Sequence, residues 1–298
     1  MLGVATLGKA RSMREIVWAY VRLTKPRIIE LLLVTTVPAM ILAERGWPSP
    51  ALILATVVGG SLAAGGANAM NCYFDRDIDS IMTRTKGRPL PAGIIEPEKA
   101  AVFGLALGAL GFLILQLWVN SLAAFLTLGA FAFYIVVYTL WLKRTTPLNI
   151  VVGGAAGAVP PLVGWAAVTG ELSAAAFVLF AIVVVWTPPH FWALALNITS
   201  DYERAGVPML PVVAGRRETE RQILLHSVAL VGVSLLLLFS DAVGYLYLSF
   251  ALVLGALLIW YAGRLWFQSS AQAAGAVFRY SIAYLALLFA AVALEGLF

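Results

Sequence analysis

The chain has 298 residues, of which 61% are hydrophobic and only 12% are charged. That is about half the charge of an ordinary soluble domain, so a soluble globular enzyme is excluded. The net charge of +5 is read as membrane topology rather than as a nucleic-acid footprint, and the single cysteine, Cys72, excludes an internal disulfide and any C-x-x-C motif.

Apolar runs of about 20 residues, each long enough to span a hydrocarbon core, repeat along the sequence and predict an all-α polytopic membrane protein. Residues 1–27 form an N-terminal arm. Its stretch from 12 to 27 mixes Arg14, Trp18, Tyr20, Arg22, Lys25 and Arg27, a headgroup-level composition. The first apolar run lacks a small-residue cleavage site and reads as a retained helix, not a signal peptide. Nine spans are predicted, at about 28–43, 51–71, 99–118, 121–141, 148–168, 173–196, 222–240, 244–262 and 277–296. They make residues 28–298 one nine-helix domain, with long loops at about 72–98 and 197–221. With a cytoplasmic N-terminus, every one of the 20 cations except Arg45 falls on the cytoplasmic side. The two long loops also carry acids, which topology does not require. The working site is therefore expected at the cytoplasmic face.

Two glycine clusters lie inside predicted spans, Gly59-Gly60 with Gly65-Gly66, and Gly153-Gly154 with Gly157. Their spacing predicts close helix packing, and neither follows a strand as a nucleotide-binding loop would. Pro160-Pro161 and Pro188-Pro189 are expected to kink or break spans five and six beside a cavity.

Asn71, Asp75 and Asp79 recur every four residues at the end of the second span. On a continuous helix they share one face, with successive members about 6 Å apart. So much negative charge at a helix C-terminus needs an offset. Asn197-x-x-x-Asp201 repeats the motif after the sixth span, with Ala205 where a third member would stand. Two copies at equivalent topological positions suggest a pseudo-symmetric site.

The chemistry suits a diphosphate held through Mg²⁺, which takes one or two carboxylates together with substrate phosphates. Asp75, Asp79 and Asp201 are the candidate metal ligands. Asn71 and Asn197 offer neutral amide groups, and Arg84, Lys86, Arg88, Lys143 and Arg144 are the cations to neutralise a leaving diphosphate. The competing reading is a solvated, topology-setting charged loop. Asp77 points off the Asn71 face, and Glu203 reads as solvated, so neither joins the set.

His190 follows the double proline in Thr187-Pro-Pro-His-Phe-Trp192 inside a span. An intramembrane ionisable residue is a functional candidate, here for heme or substrate binding, with backbone-carbonyl satisfaction as the alternative. His226, near the edge of span seven, reads as interfacial.

These motifs resemble the UbiA superfamily of intramembrane prenyltransferases. Its signature is N-x-x-x-D-x-x-x-D after the second helix and an Asp-rich motif after the sixth, in a nine-helix bundle. Asn71, Asp75 and Asp79 match the first motif in full; the second departs from the common D-x-x-x-D at Ala205. Several stretches are similar to the protoheme IX farnesyltransferase (heme O synthase) subfamily. They are Leu23-Thr-Lys-Pro-Arg27, Asn71 to Asp79, Met82-Thr-Arg-Thr, Arg88-Pro-Leu-Pro91, Thr187 to Trp192 and Asp201 to Pro211.

The resemblance implies transfer of a farnesyl group from farnesyl diphosphate to a vinyl carbon of heme B. Water is added and diphosphate released, with Mg²⁺ as cofactor. Catalytic roles are implied for Asn71, Asp75, Asp79 and Asp201. It also implies a prokaryotic plasma-membrane location, and heme A synthase or cytochrome-oxidase assembly downstream. The alternatives are a UbiA-type enzyme acting on a quinone precursor or other acceptor, and a secondary transporter. A transporter would gather its ionisable groups near the midplane rather than at one face.

Overall fold

The computed structural model describes residues 12–298, and among these every regular element is a helix. Lys9 and Arg11, counted in the charge partition, lie outside the described residues. α1 (Met13–Thr24) opens on a capping box, in which Ser12 Oγ accepts from the Glu15 N–H and Glu15 accepts from the Ser12 N–H. It stops at Lys25, held in the left-handed region at φ 51°, and Pro26 then opens α2 (Pro26–Glu44).

The helices that follow are α3 (Pro50–Phe74), α4 (Arg76–Ile81), α5 (Pro97–Trp118), α6 (Ser121–Thr145), α7 (Asn149–Thr169) and α8 (Ala174–Ala195). After them come α9 (Thr199–Arg204), α10 (Leu210–Val213), α11 (Gly215–Ser240), α12 (Tyr245–Gln268) and α13 (Ala271–Leu297). Among the described residues eight helices, α3, α5, α6, α7, α8, α11, α12 and α13, are long and apolar enough to cross a bilayer. α2, the expected first span, has Arg27 and Glu30 in its first turns and a shorter apolar stretch, Leu33–Glu44.

Glycines bring α3 and α5 together. A Cβ on Gly59 would fall 2.8 Å from Leu115 Cγ, and one on Gly104 would fall 2.9 Å from the Gly66 carbonyl oxygen. In a bilayer such close backbone approach supplies the dispersion attraction that the hydrophobic effect no longer gives. α8, α11, α12 and α13 build the larger core with α2, burying Leu179, Ile182, Tyr247, Tyr284 and Phe289. Its polar atoms are paired: Tyr247 OH donates to the Ser234 carbonyl at 2.8 Å, and Tyr284 OH lies 2.9 Å from Ser234 Oγ.

The double prolines do not break their helices. α7 runs through Pro160 and Pro161, and α8 through Pro188 and Pro189, as continuous elements. Neighbouring helices hold both segments, which offsets the lost hydrogen bonds. The break falls elsewhere, in α6, where Phe133–Leu142 winds as a π-helix. This run is almost wholly β-branched and aromatic, residue types that crowd a tight turn. Thr139 Oγ1 donates to the Tyr134 carbonyl five residues back at 2.8 Å, the reach of the wider turn.

Candidate active site

One cavity of about 340 Å³ runs between α2, α3, α6, α7 and α8. Its head is charged: Lys25, Asn71, Asp79, Arg84, Arg88 and Lys143 all line it. Its body is small and apolar, with Ala63, Ala64 and Ala67 of α3 along one wall. The deep threonines add little polarity. Thr56 and Thr127 bond their hydroxyls to the carbonyls four residues back in their own helices, at 2.8 and 2.9 Å.

α3 continues unbroken to Phe74, so Asn71 and Asp75 lie one turn apart and both are buried. The Asn71 amide donates to Asp75 Oδ2 at 2.8 Å and to Thr139 Oγ1 at 3.0 Å. Its carbonyl oxygen accepts from Lys25 Nζ at 2.7 Å. Burial pushes the Lys25 ammonium below the ordinary lysine range. Its left-handed backbone, a costly conformation for a residue with a Cβ, turns the side chain into the corner. Lys143, placed by the π-helical end of α6, pairs with Asp75 Oδ2. Asp75 Oδ1 is buried and has no hydrogen-bond partner. One turn on, Asp79 is held by Arg88 at 2.8 and 2.7 Å. Burial alone would lower the Arg88 guanidinium, but the Asp79 carboxylate outweighs it and raises the group.

The second motif is built differently. Asn197 sits in an exposed turn after α8 has ended, away from the cavity. Asp201 is buried but does not line the cavity. It accepts from the backbone N–H groups of Thr83 and Arg84, both at 3.2 Å, and from Arg204. Burial works to raise the Asp201 carboxyl, and these donors outweigh it and hold it low. Asp201 therefore clamps the turn that carries Arg84. The guanidinium of Arg84 in turn reaches Tyr202 OH at 3.3 Å.

The expected set of three carboxylates is accordingly not assembled. Among the described residues no three His, Cys, Asp or Glu side chains converge as a cage for a metal ion. Asp79 supplies the carboxylate that lines the head, Asp75 stands buried behind it against Asn71 and Lys143, and Asp201 is spent on the loop.

Three further candidates are placed off this cavity. Arg144 does not line the cavity. It forks onto Asp77 at 2.7 and 2.8 Å, caps the Phe74 carbonyl at 2.9 Å and comes within 3.7 Å of Asp75 Oδ1, bracing the ends of α3 and α6 from behind the site. Lys86 is exposed and also does not line the cavity. His190 lies behind the wall. Its ring is stacked between Trp186 and Phe278, with centroids 4.3 and 4.7 Å away, and its Nδ1 meets Ser281 Oγ at 2.8 Å. The turn of α8 presents Trp186, Thr187 and Phe191 to the cavity and His190 to α13.

Several site residues carried no chemical signal in the sequence. Lys25 is one cation among several in the arm. Thr139 is a lone hydroxyl in an apolar span. Tyr134 and Tyr138, stacked at 5.3 Å with their planes 17° apart, line the head of the cavity. Their four-residue spacing puts both rings on one helix face.

The UbiA prenyltransferase family matches residues 32–291 of the chain. A protoheme IX farnesyltransferase of Gloeobacter violaceus is 53% identical over 280 residues, covering 94% of this chain and 92% of that protein. Protoheme IX farnesyltransferase 1 of Saccharopolyspora erythraea is 52% identical over 288 residues, covering 95% and 91%. Among solved structures, a digeranylgeranylglyceryl phosphate synthase superposes with a TM-score of 0.77 at 19% identity, covering 95% of this chain and 99% of that one. A UbiA homologue from Archaeoglobus fulgidus, bound to DMAPP and Mg²⁺, superposes with a TM-score of 0.64 at 18% identity, covering 91% and 99%.

Proposed function

The chain belongs to the UbiA prenyltransferase family, and from that premise we propose that it farnesylates heme. A farnesyl group passes from farnesyl diphosphate to a vinyl carbon of heme B, water adds to the neighbouring carbon, and heme O and diphosphate leave. The observation that carries this is the cavity itself. It pairs a head of cations and the Asp79 carboxylate with an apolar body, matching an ionic diphosphate on an apolar prenyl chain. Relatives about half identical over nearly the whole chain supply the acceptor.

Lys25, Arg88 and Lys143 converge on the head, where negative charge grows as the carbon–oxygen bond of the donor breaks. Their present partners are Asn71, Asp79 and Asp75, so each has a hydrogen-bonding role to exchange for phosphate oxygens. The paired rings of Tyr134 and Tyr138 offer π density beside the allylic cation left behind. The alanine-lined body excludes water from that cation until the vinyl carbon attacks.

The residues fit Mg²⁺. Asp75 Oδ1 is a buried oxygen with no hydrogen-bond partner, 3.7 Å from the Arg144 guanidinium, and a carboxylate pair is the usual protein share of a Mg²⁺–phosphate site. Asp75 and Asp79 would hold the ion, and it would neutralise diphosphate charge. We place the head at the cytoplasmic face of a prokaryotic plasma membrane, with nine spans and a cytoplasmic N-terminus, as the cation partition supports. The product then feeds an oxidising step of the heme A synthase type on the way to cytochrome oxidase.

The test is incubation of purified protein with heme B, farnesyl diphosphate and Mg²⁺, followed by mass analysis of the porphyrin. A gain of one farnesyl group and one water is expected. An unchanged porphyrin, with a quinone precursor prenylated in parallel, would overturn the assignment of the acceptor.

A further inference from the structure

Most glycines of the two intramembrane clusters are packing residues, but two are not. A Cβ built on Gly60 of α3 or on Gly157 of α7 meets no atom within 4 Å, and both residues line the cavity. Their neighbours have no such room. Gly59 is closed off by Leu115, Gly153 by Tyr138 and Gly154 by Thr187. A glycine destabilises a helix interior relative to alanine. Close helix packing accounts for glycine at Gly59 and its like, whereas at Gly60 and Gly157 a side chain would enter the cavity without meeting a neighbour.

Their depths differ. Gly153 packs on Tyr138, and the next residue, Thr139, bonds Asn71, so Gly153 is level with the charged head. Gly157 then lies one turn below the head, about 6 Å at the helical rise. Gly60 is eleven residues from Asn71 on α3, about 17 Å or three turns down. Ala67, Ala64 and Ala63 line the wall between, one face of the helix at three- and four-residue spacing. Below Gly60 stands Thr56, buried and with its hydroxyl spent on the Leu52 carbonyl. An extended isoprene unit, four carbon–carbon bonds long, covers about one 5.4 Å helical turn.

We propose that Gly60 sets the length of prenyl chain the enzyme accepts, by leaving room for the third isoprene unit at the deep end of the cavity. Gly157 leaves room for the first. The inference rests on the prenyl-diphosphate reading of the site, and it predicts a dependence on depth that a general packing role does not.

The experiment uses full-length protein in detergent and measures dissociation constants for the non-reactive farnesyl and geranyl S-thiolodiphosphates. Wild-type protein is expected to favour the farnesyl compound. Gly60→Leu is expected to weaken farnesyl binding about tenfold or more while changing geranyl binding less than about threefold, because the leucine fills only the third-unit position. Gly60→Ala gives the same change in ratio with smaller size, which keeps the test valid if the leucine variant is unstable. Gly157→Leu is expected to weaken both ligands. Equal effects of Gly60→Leu on the two ligands, or none on either, would overturn the length limit. Failure of wild-type protein to bind either compound would instead overturn the prenyl-diphosphate reading.

Discussion

Two segments of this protein read Asn-x-x-x-Asp at the end of a span, and they end up doing different work. At Asn71 and Asp75 the helix continues, so the pair shares a buried face, with Asn71 lining the head of the cavity and Asp75 bonded behind it. At Asn197 and Asp201 the helix has stopped at Ala195, and a new short helix begins at Thr199. The stop has a local cause. Thr199 Oγ1 takes the Ala195 carbonyl at 2.9 Å, and asparagine and β-branched residues in the break compete with helical hydrogen bonding. The break leaves Asn197 exposed and aims Asp201 at the backbone of another loop. A four-residue spacing fixes geometry only where the helix that carries it persists.

The comparison breaks most sharply by removing one member from each side. Asp75→Asn deletes the charge paired with Lys143 and the carboxylate oxygen proposed for the metal, so turnover is expected to fall about 100- to 1,000-fold. Asn197→Ala is expected to leave turnover within about twofold, as for an exposed residue remote from any special feature. Steady-state heme O formation measures both. A symmetric two-sided clamp requires comparable losses, so a large loss in the Asn197 variant would restore it.

The next effect down concerns Lys25. Losing a charge-assisted hydrogen bond costs about 1.5–3 kcal/mol, so Lys25→Met is expected to raise KM for farnesyl diphosphate about 10- to 100-fold with a smaller change in KM for heme. Equal changes in the two constants would remove Lys25 from the diphosphate corner. Asp201 should sit below this. Asp201→Asn keeps an acceptor for only one of the Thr83 and Arg84 N–H groups and loses the charge that pairs with Arg204, so a loss of about tenfold is expected. Because Asp201 acts through the loop, the Mg²⁺ concentration for half-maximal rate should not move. A shift of that midpoint alongside the lost rate would make Asp201 a metal ligand after all.

The same contrast shows what the sequence could reveal. The all-α membrane architecture was legible because lipid forces backbone groups to pair within each span, leaving long apolar runs as the signature. The first motif was legible because its spacing coincided with a helix that happened to continue. Lys25 was not, because its role depends on a left-handed turn that brings an arm residue across to Asn71. Lys143 and Arg144 are adjacent in the sequence and both reach Asp75, but only Lys143 lines the cavity. Which of two adjacent cations faces inward depends on the π-helical register of α6, and periodicity at 3.6 residues per turn does not carry that information. His190 was misplaced for the same kind of reason. The sequence shows an ionisable residue in a span; the facing of α8 shows it turned to Ser281. The glycine clusters looked uniform, and only the neighbouring helices separate those that pack from those that open on the cavity.

The smallest effect belongs to the outer brace between Arg144 and Asp77. The guanidinium beside Asp77 holds that carboxyl down at about 2, below its ordinary 3.8. A carboxyl lowered on folding contributes stability that is fully present above its ordinary value and is lost as pH falls toward the folded value. The window is therefore about pH 4 down to about pH 2. Asp77 is mostly solvent-exposed, so the pair is worth well under about 1 kcal/mol. Asp77→Asn should lower the thermal unfolding midpoint in detergent slightly at neutral pH and change turnover less than about threefold. The gap between wild type and variant should shrink as the pH is taken from about 6 to about 3, because the wild-type carboxylate begins to take up its proton. If the gap stays constant across that range, the Asp77 charge is not what holds Arg144. The Phe74 carbonyl, which accepts from the same guanidinium at 2.9 Å, would then be the anchor that fixes the end of α3 where Asp75 meets Lys143.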